Sequence, residues 1–182
     1  MNFVEPIRDP NTLEMVVRHL EKTNERNYIM FIIGLYTGLR ISDILLLQVK
    51  HVDKNEIRIR EKKTGKQRII QLNSKLKRPL MHFIEGREGY EFIIQSREGV
   101  NQKLSRSMAY RIIKDLENYF RLSGLGTHTM RKTFGYHYYK STKDVVTLQK
   151  IFNHSNPQET LKYIGITQDD INTAIMQMDY FK

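Results

Sequence analysis

Apolar residues at Leu13, Val16, Val17 and Leu20 recur at the three-to-four spacing of one helix face, behind an Asn11-Thr-Leu-Glu14 start that has the form of a capping box. This predicts an amphipathic helix over 11–22. The run from Tyr28 to Tyr36 is almost continuously apolar and leads into Thr37-Gly38, the pattern of a buried helix closed by a glycine at positive φ. Beyond it, Ser42 is placed to cap a short helix through Leu47, so Arg40 falls in a tight bend anchored by Ile44, Leu45 and Leu47. Period-two patterning in Glu56–Arg60 and Gln67–Leu72, around the glycine-containing Lys62-Lys-Thr-Gly-Lys66, predicts a hairpin with a basic tip. Glu91–Gln95 reads as a third strand, and Leu76–Glu85 as a helix whose first turn holds Pro79.

The second half of the chain is helical in pattern. A helix over 105–122 carries Met108, Ile112, Leu116, Tyr119 and Phe120 on one face, and is broken by Gly124 and Gly126 from helices over 127–140 and 142–152. Asn156-Pro-Gln-Glu159 combines an N-cap, proline at the first helical position and an acid three residues after the cap; the helix it starts carries Tyr163 and ends at Gly165. Residues 168–182 repeat Ile171, Ile175 and Met178, an amphipathic tail that must dock on something. The expected fold class is α+β, mainly α, with a small three-stranded antiparallel sheet. With 182 residues, no internal repeat and no linker composition, residues 1–182 read as a single domain.

Composition narrows the chemistry. There is no cysteine, which removes disulfides, thiolate metal sites and thiol nucleophiles. No leader-like or membrane-spanning apolar run is present, and the expected location is cytoplasmic. Thirty Lys+Arg against twenty Asp+Glu give a net charge of +10, which leaves nucleic acid, an acidic membrane and plain basic solubility open.

Cutting a phosphodiester without a metal needs a nucleophile, cations fixed around the non-bridging oxygens and an acid for the leaving oxygen. His128-Thr-Met-Arg131 puts an imidazole and a guanidinium on one helix face near its N-terminus, where an anion is favoured. Arg40 supplies a second guanidinium, Lys63 or Lys66 an ammonium on the hairpin tip, and His154 a donor just before the next helix; Tyr163 follows nine residues later. A free tyrosine ionises near pH ~10, so either cations lower its pKa or a histidine accepts its proton.

In this order, Thr37-Gly-Leu-Arg40 with Asp43, the Lys63-Thr-Gly turn, His128-x-x-Arg131, His154-Ser155 and Tyr163 resemble the catalytic domain of the tyrosine recombinases, the phage-type integrases. The resemblance covers nearly the whole chain. It implies integration or recombination of DNA through a 3′-phosphotyrosyl intermediate on Tyr163, with no cofactor and no metal. Arg40 and Arg131 would hold the scissile phosphate, Lys63 would protonate the leaving 5′-oxygen, His128 would exchange the tyrosine's proton and His154 would donate to a phosphate oxygen. Asp43 is a supporting residue, and Lys62, Lys66 and Arg68 are expected to contact the DNA backbone. Asp43, Met130 and Asn153 stand where the family more often has Glu, Leu and Gly.

The implied partner is double-stranded DNA, with nucleoid association when bound, self-association through the 168–182 tail docked in cis or in trans, and no membrane. The N-terminal core-binding domain usual in the family is not in this chain, so another protein or domain would supply the clamp. Competing readings are a type IB topoisomerase-like enzyme with the same covalent chemistry, and a noncatalytic DNA-binding or regulatory module of a recombination complex. The blander alternatives are an Arg40–Asp43 surface pair, a solvated lysine turn and aromatic packing of Tyr163.

Overall fold

A computed structural model describes residues 4–63, 65–166, 170, 173 and 175–179, and eight α-helices together with a three-stranded sheet are defined among them. Helices α1 (Pro10–Thr23), α2 (Glu25–Thr37) and α3 (Ile41–Ile44) precede a single 3₁₀ turn, Val49–His51. Strands β1 (Val52–Asp53), β2 (Glu56–Arg60) and β3 (Gln67–Gln71) follow, then α4 (Ser74–Ile84), α5 (Arg106–Tyr119), α6 (Thr129–Thr142), α7 (Val145–Phe152) and α8 (Pro157–Ile164). The sheet order is β1-β2-β3, antiparallel throughout. The fold is the expected mainly helical α+β class. None of the described helices is long and apolar enough to cross a membrane.

The buried helix α2 is the axis of the main core. Ile29, Met30, Phe31, Ile32 and Ile33 are all buried, and α6 crosses so close that a Cβ on Gly34 would lie 2.6 Å from the Cβ of Met130. A second, smaller core gathers Leu148 and Phe152 of α7, Ile164 of α8 and Ile166 just beyond it under Phe134, Tyr138 and Tyr139 of α6. Helix α6 therefore lies between two apolar clusters, and it buries Arg131, Lys132 and Thr133 along with Met130. A polar helix in that position has to find partners for what it buries.

Several local expectations shift. The cap of α1 is Asp9, whose carboxylate accepts from the backbone N–H groups of Asn11 and Thr12, because Pro10 takes the first helical position, where its missing N–H is harmless. Ser42 lies inside α3; its N-cap is Arg40, with no side-chain capping bond. Asn73 caps α4, which starts two residues earlier than expected and so leaves Pro79 in the helix interior. Helix α5 buries Ala109, Ile112, Ile113 and Leu116, while Met108 and Tyr119 of the expected face are exposed. The cap of α7 is Asp144, and α6 starts after a turn through Thr127 and His128.

Glu91–Gln95 is not a strand. It bends at Glu91, Ile93 and Ile94, is buried at Ile93 and Ile94, and is joined to the chain by isolated bridges, Gln48 with Phe92 and Gln95 with Lys103; the third strand is the short Val52–Asp53. The 168–182 tail lies largely outside the described residues. Within it, the Asp170 carboxylate is 3.7 Å from Lys140 Nζ.

Candidate active site

Helix α2 ends at Gly38, whose φ of 63° favours glycine. A Cβ there would also stand 2.6 Å from the Phe134 ring. The Thr37 hydroxyl donates to Ile33 O and accepts from Leu39 N–H, fixing the bend from which Arg40 leaves. Arg40 Nη1 donates to Glu61 Oε2 at 3.0 Å and Nη2 to the Phe152 carbonyl at 3.4 Å. Asp43 is not its partner. That carboxylate is buried and accepts the Lys62 backbone N–H at 2.9 Å, which ties the lysine turn to the Arg40 bend.

Arg131 is 2% exposed. Its Nη1 donates to the Gly38 carbonyl, its Nη2 to the Phe152 carbonyl at 2.9 Å, and its guanidinium lies 4.2 Å above the centre of the Phe152 ring. Gly38 and Phe152 are at the ends of α2 and α7, where carbonyls have no intrahelical partner and the helix dipoles favour cations. Arg40 and Arg131 thus meet at one oxygen, the Phe152 carbonyl. Burial brings the pKa of Arg131 down to about 10, with the neighbouring Tyr163 opposing the shift, so it stays cationic at neutral pH.

His128 is the N-cap of α6 but makes no side-chain capping bond; its Nδ1 lies 3.0 Å from the Tyr163 hydroxyl. Tyr163, in the last turn of α8, packs edge-on against Phe152 and His154, at 5.4 and 5.1 Å between ring centres. Burial raises the Tyr163 pKa above the usual phenol value, and the charges of Arg131 and Arg40 only partly offset it. Burial also lowers His128, reinforced by Arg106, Arg131, Lys132 and Arg40, so its imidazole is neutral at pH 7. A neutral base thus sits beside a protonated phenol. His154 Nδ1 is 3.0 Å from the Thr160 hydroxyl, and burial lowers the pKa of this histidine too, with Glu159 opposing.

The hairpin tip joins the site from the other side. Lys63 is exposed there, close enough for its charge to bear on His154 and Glu159, and Lys66 Nζ bonds Asn153 Oδ1 at 2.7 Å, just before His154. Lys62 is exposed. Arg68 faces inward. Opposite Ile59 in the register, it shares the inward face with Ile70, and donates to Glu61 Oε1 at 3.1 Å and to the Thr37 carbonyl at 3.0 Å. A strand's two-residue alternation turns Arg68 in and Ile69 out.

Three participants were not foreseen from the sequence: Glu61, buried between Arg40 and Arg68; Phe152, through both carbonyl and ring; and Lys132, whose Nζ lies 5.1 Å from the centre of the Tyr163 ring. Only Lys132, next to Arg131 in sequence, had a local signal.

The model of the phage integrase family matches residues 9–169. The probable integrase/recombinase YoeC of Bacillus subtilis is 41% identical over 175 residues, covering 96% of either chain. Tyrosine recombinase XerA of Saccharolobus solfataricus is 26% identical over 171 residues, 93% of this chain and 55% of that one, so this chain spans about half its length. Among solved structures, a crystal structure of XerA recombinase superposes with a TM-score of 0.79 at 18% identity, covering 98% of this chain and 67% of that one. XerH site-specific recombinase, in a post-cleavage complex with its palindromic difH substrate, gives 0.72 at 17% identity, covering 97% and 52%.

Proposed function

This chain belongs to the phage integrase family, and on that premise we propose that it cleaves and rejoins double-stranded DNA in site-specific recombination through a phosphotyrosyl intermediate. The observation that carries the reading is the Tyr163 hydroxyl 3.0 Å from His128 Nδ1, beside two arginines that converge on one oxygen.

In this mechanism Arg40 and Arg131 grip the non-bridging oxygens of the scissile phosphate, and His154 donates to one of them. The Tyr163 oxygen attacks phosphorus while His128 accepts its proton. The bond from phosphorus to the 5′-oxygen breaks, and that oxygen leaves with a proton from Lys63. The DNA 3′-phosphate is then esterified to Tyr163, and the bond energy is kept for the reverse attack by an incoming 5′-hydroxyl, which returns the proton to Lys63 while His128 reprotonates the phenol. Because burial keeps the phenol protonated, the reaction depends on the histidine.

XerH is bound to its palindromic difH substrate and the similarly folded Tn1549 transposon integrase to transposon right end DNA, which supports duplex DNA as the partner here. Exposed Lys62 and Lys66 suit its backbone, and the net charge of +10 suits salt-sensitive binding. Exposed Ile175, Met176 and Met178 support self-association through the tail.

The test is incubation of the protein and its Tyr163→Phe variant with supercoiled DNA at low salt, followed by denaturation and detection of protein-linked DNA. Adducts with the wild type alone support the reading. DNA binding with no adduct, and no change on substitution, favours the noncatalytic module; relaxation of single duplexes without exchange between two sites favours the topoisomerase-like alternative.

A further inference from the structure

We propose that Glu61 is the positioning residue for Arg40, with Arg68 as the counter-cation that keeps Arg40 from being neutralised. The proposal rests on the reading of Arg40 as a phosphate ligand.

The Glu61 side chain is 6% exposed, and its two oxygens go to different arginines, Oε2 to Arg40 at 3.0 Å and Oε1 to Arg68 at 3.1 Å. A carboxylate paired with Arg40 alone would cancel its charge where a phosphate must bind. Shared between two guanidiniums, it holds one edge of Arg40 and leaves the assembly with positive charge in excess. Arg68 is itself fixed at Thr37 O, next to Gly38, whose carbonyl takes Arg131. The backbone of Glu61 closes the lysine turn at both ends: its N–H donates to Lys66 O at 2.9 Å and its carbonyl accepts from Gly65 N–H at 2.8 Å. One residue therefore sets Arg40 relative to the loop that carries Lys63.

This makes binding and chemistry move in opposite directions. Removing the charge in Glu61→Gln subtracts an anion from a DNA-facing site, so DNA affinity holds or rises. Arg40 loses its anchor, so the cleavage rate constant at saturating protein falls by about tenfold or more, the scale of one misplaced charged hydrogen bond. A purely structural role would lower melting temperature, affinity and rate together. Simple charge removal would raise affinity and rate together.

Two measurements decide it. In the free protein, side-chain ¹⁵N NMR should show the Arg40 guanidinium N–H groups in hindered rotation, assigned by their loss in Arg40→Lys, and averaged in Glu61→Gln. On supercoiled plasmid, Glu61→Gln should bind at least as tightly as wild type and form adducts more slowly. Hindered rotation retained in Glu61→Gln, or an adduct rate equal to or above wild type, overturns the proposal. Should Glu61→Gln not fold, Glu61→Gln/Arg68→Met removes one charge of each sign and is expected to fold, bind and still cleave slowly; wild-type cleavage by it overturns the proposal. A wild type that forms no adduct refutes the proposed function instead, while the NMR comparison still decides the role of Glu61.

Discussion

Replacing Gly135 by alanine sets two effects of known size against each other. In an exposed helix the change is favourable, by about 1 kcal/mol. Here a Cβ would lie 2.7 Å from Ile164 Cγ2 and 2.7 Å from both Phe152 Cε2 and Cζ. Both neighbours are fully buried, so neither can swing into solvent. To reach the 3.4 Å at which ordinary contact begins, α7 and α8 must each retreat by about 0.7 Å. Overpacking of this kind costs up to about 3 kcal/mol, which leaves a net destabilisation of about 2 kcal/mol. For a domain of this size, the melting temperature should fall by about 4–8 °C, read by circular dichroism. The same retreat moves the Phe152 carbonyl from Arg131 and moves Tyr163, next to Ile164, from His128. Adduct formation at 25 °C should therefore drop by about tenfold or more, although about 2 kcal/mol leaves nearly all of the protein folded. Gly89→Ala is the control, since its Cβ would meet only Lys50 Cβ at 3.5 Å, and it should change stability by less than about 0.5 kcal/mol. A Gly135→Ala protein that melts at or above the wild-type temperature would refute the packing argument.

Arg131→Lys should lower adduct yield by about a hundredfold and stability by about 2 kcal/mol, because one ammonium cannot span the Gly38 and Phe152 carbonyls and stack on the ring; unchanged single-turnover cleavage would contradict this. His128 and His154 both have folded pKa values below the ordinary 6.5, so the unfolded chain binds their protons more readily. Their contribution is fully present above pH 6.5 and is lost as pH falls through the depressed folded values, so urea midpoints should decline from pH 7.5 to 5.5; a flat or rising trend would count against the burial of these imidazoles. Lys63→Ala should abolish cleavage of ordinary DNA but regain it on a substrate whose bridging 5′-oxygen is replaced by sulfur, since a thiolate leaves without a proton; equal loss on both substrates would remove Lys63 from the acid role.

What was legible in the sequence was what the chain encodes locally. Asn156-Pro-Gln-Glu159 places the start of α8, and hence Tyr163, because Asn156 accepts the Glu159 N–H, Pro157 has no N–H to satisfy and the Glu159 carboxylate accepts the Ser155 N–H, whatever else the protein does. Gly38 fixes the end of α2 for a similar reason. Pro10 carries the same kind of information, since a proline at the first helical position puts the α1 cap at Asp9 and not at Asn11. Glu61 was not legible, because its partners are 21 residues before it and 7 after it, and an acid beside a basic hairpin reads as solvated. The inward face of Arg68 was not legible because Ile69 and Ile70 are both apolar, and only the pairing of Ile57 with Ile70 decides which faces in. Glu91–Gln95 has the composition of a strand, but its neighbours on either side, Gln48 and Lys103, are not in strands.

The basic character of the chain does not by itself make the phosphate site of the proposed mechanism; the helix ends orient it. Three arginines, Arg40, Arg68 and Arg131, are held by one carboxylate, Glu61, and by the carbonyls of Thr37, Gly38 and Phe152. Those carbonyls lie at the C-termini of α2 and α7, which leave acceptors unpaired and carry partial negative charge. Neutral acceptors orient the guanidiniums without cancelling them, and the single carboxylate cancels only part, so the cluster keeps excess positive charge in a partly buried place. Like charges held together favour an anion between them, and in the proposed mechanism a phosphodiester would meet donors already in position. Little reorganisation is then left for the reaction itself, which is the condition under which fixed charges accelerate it most.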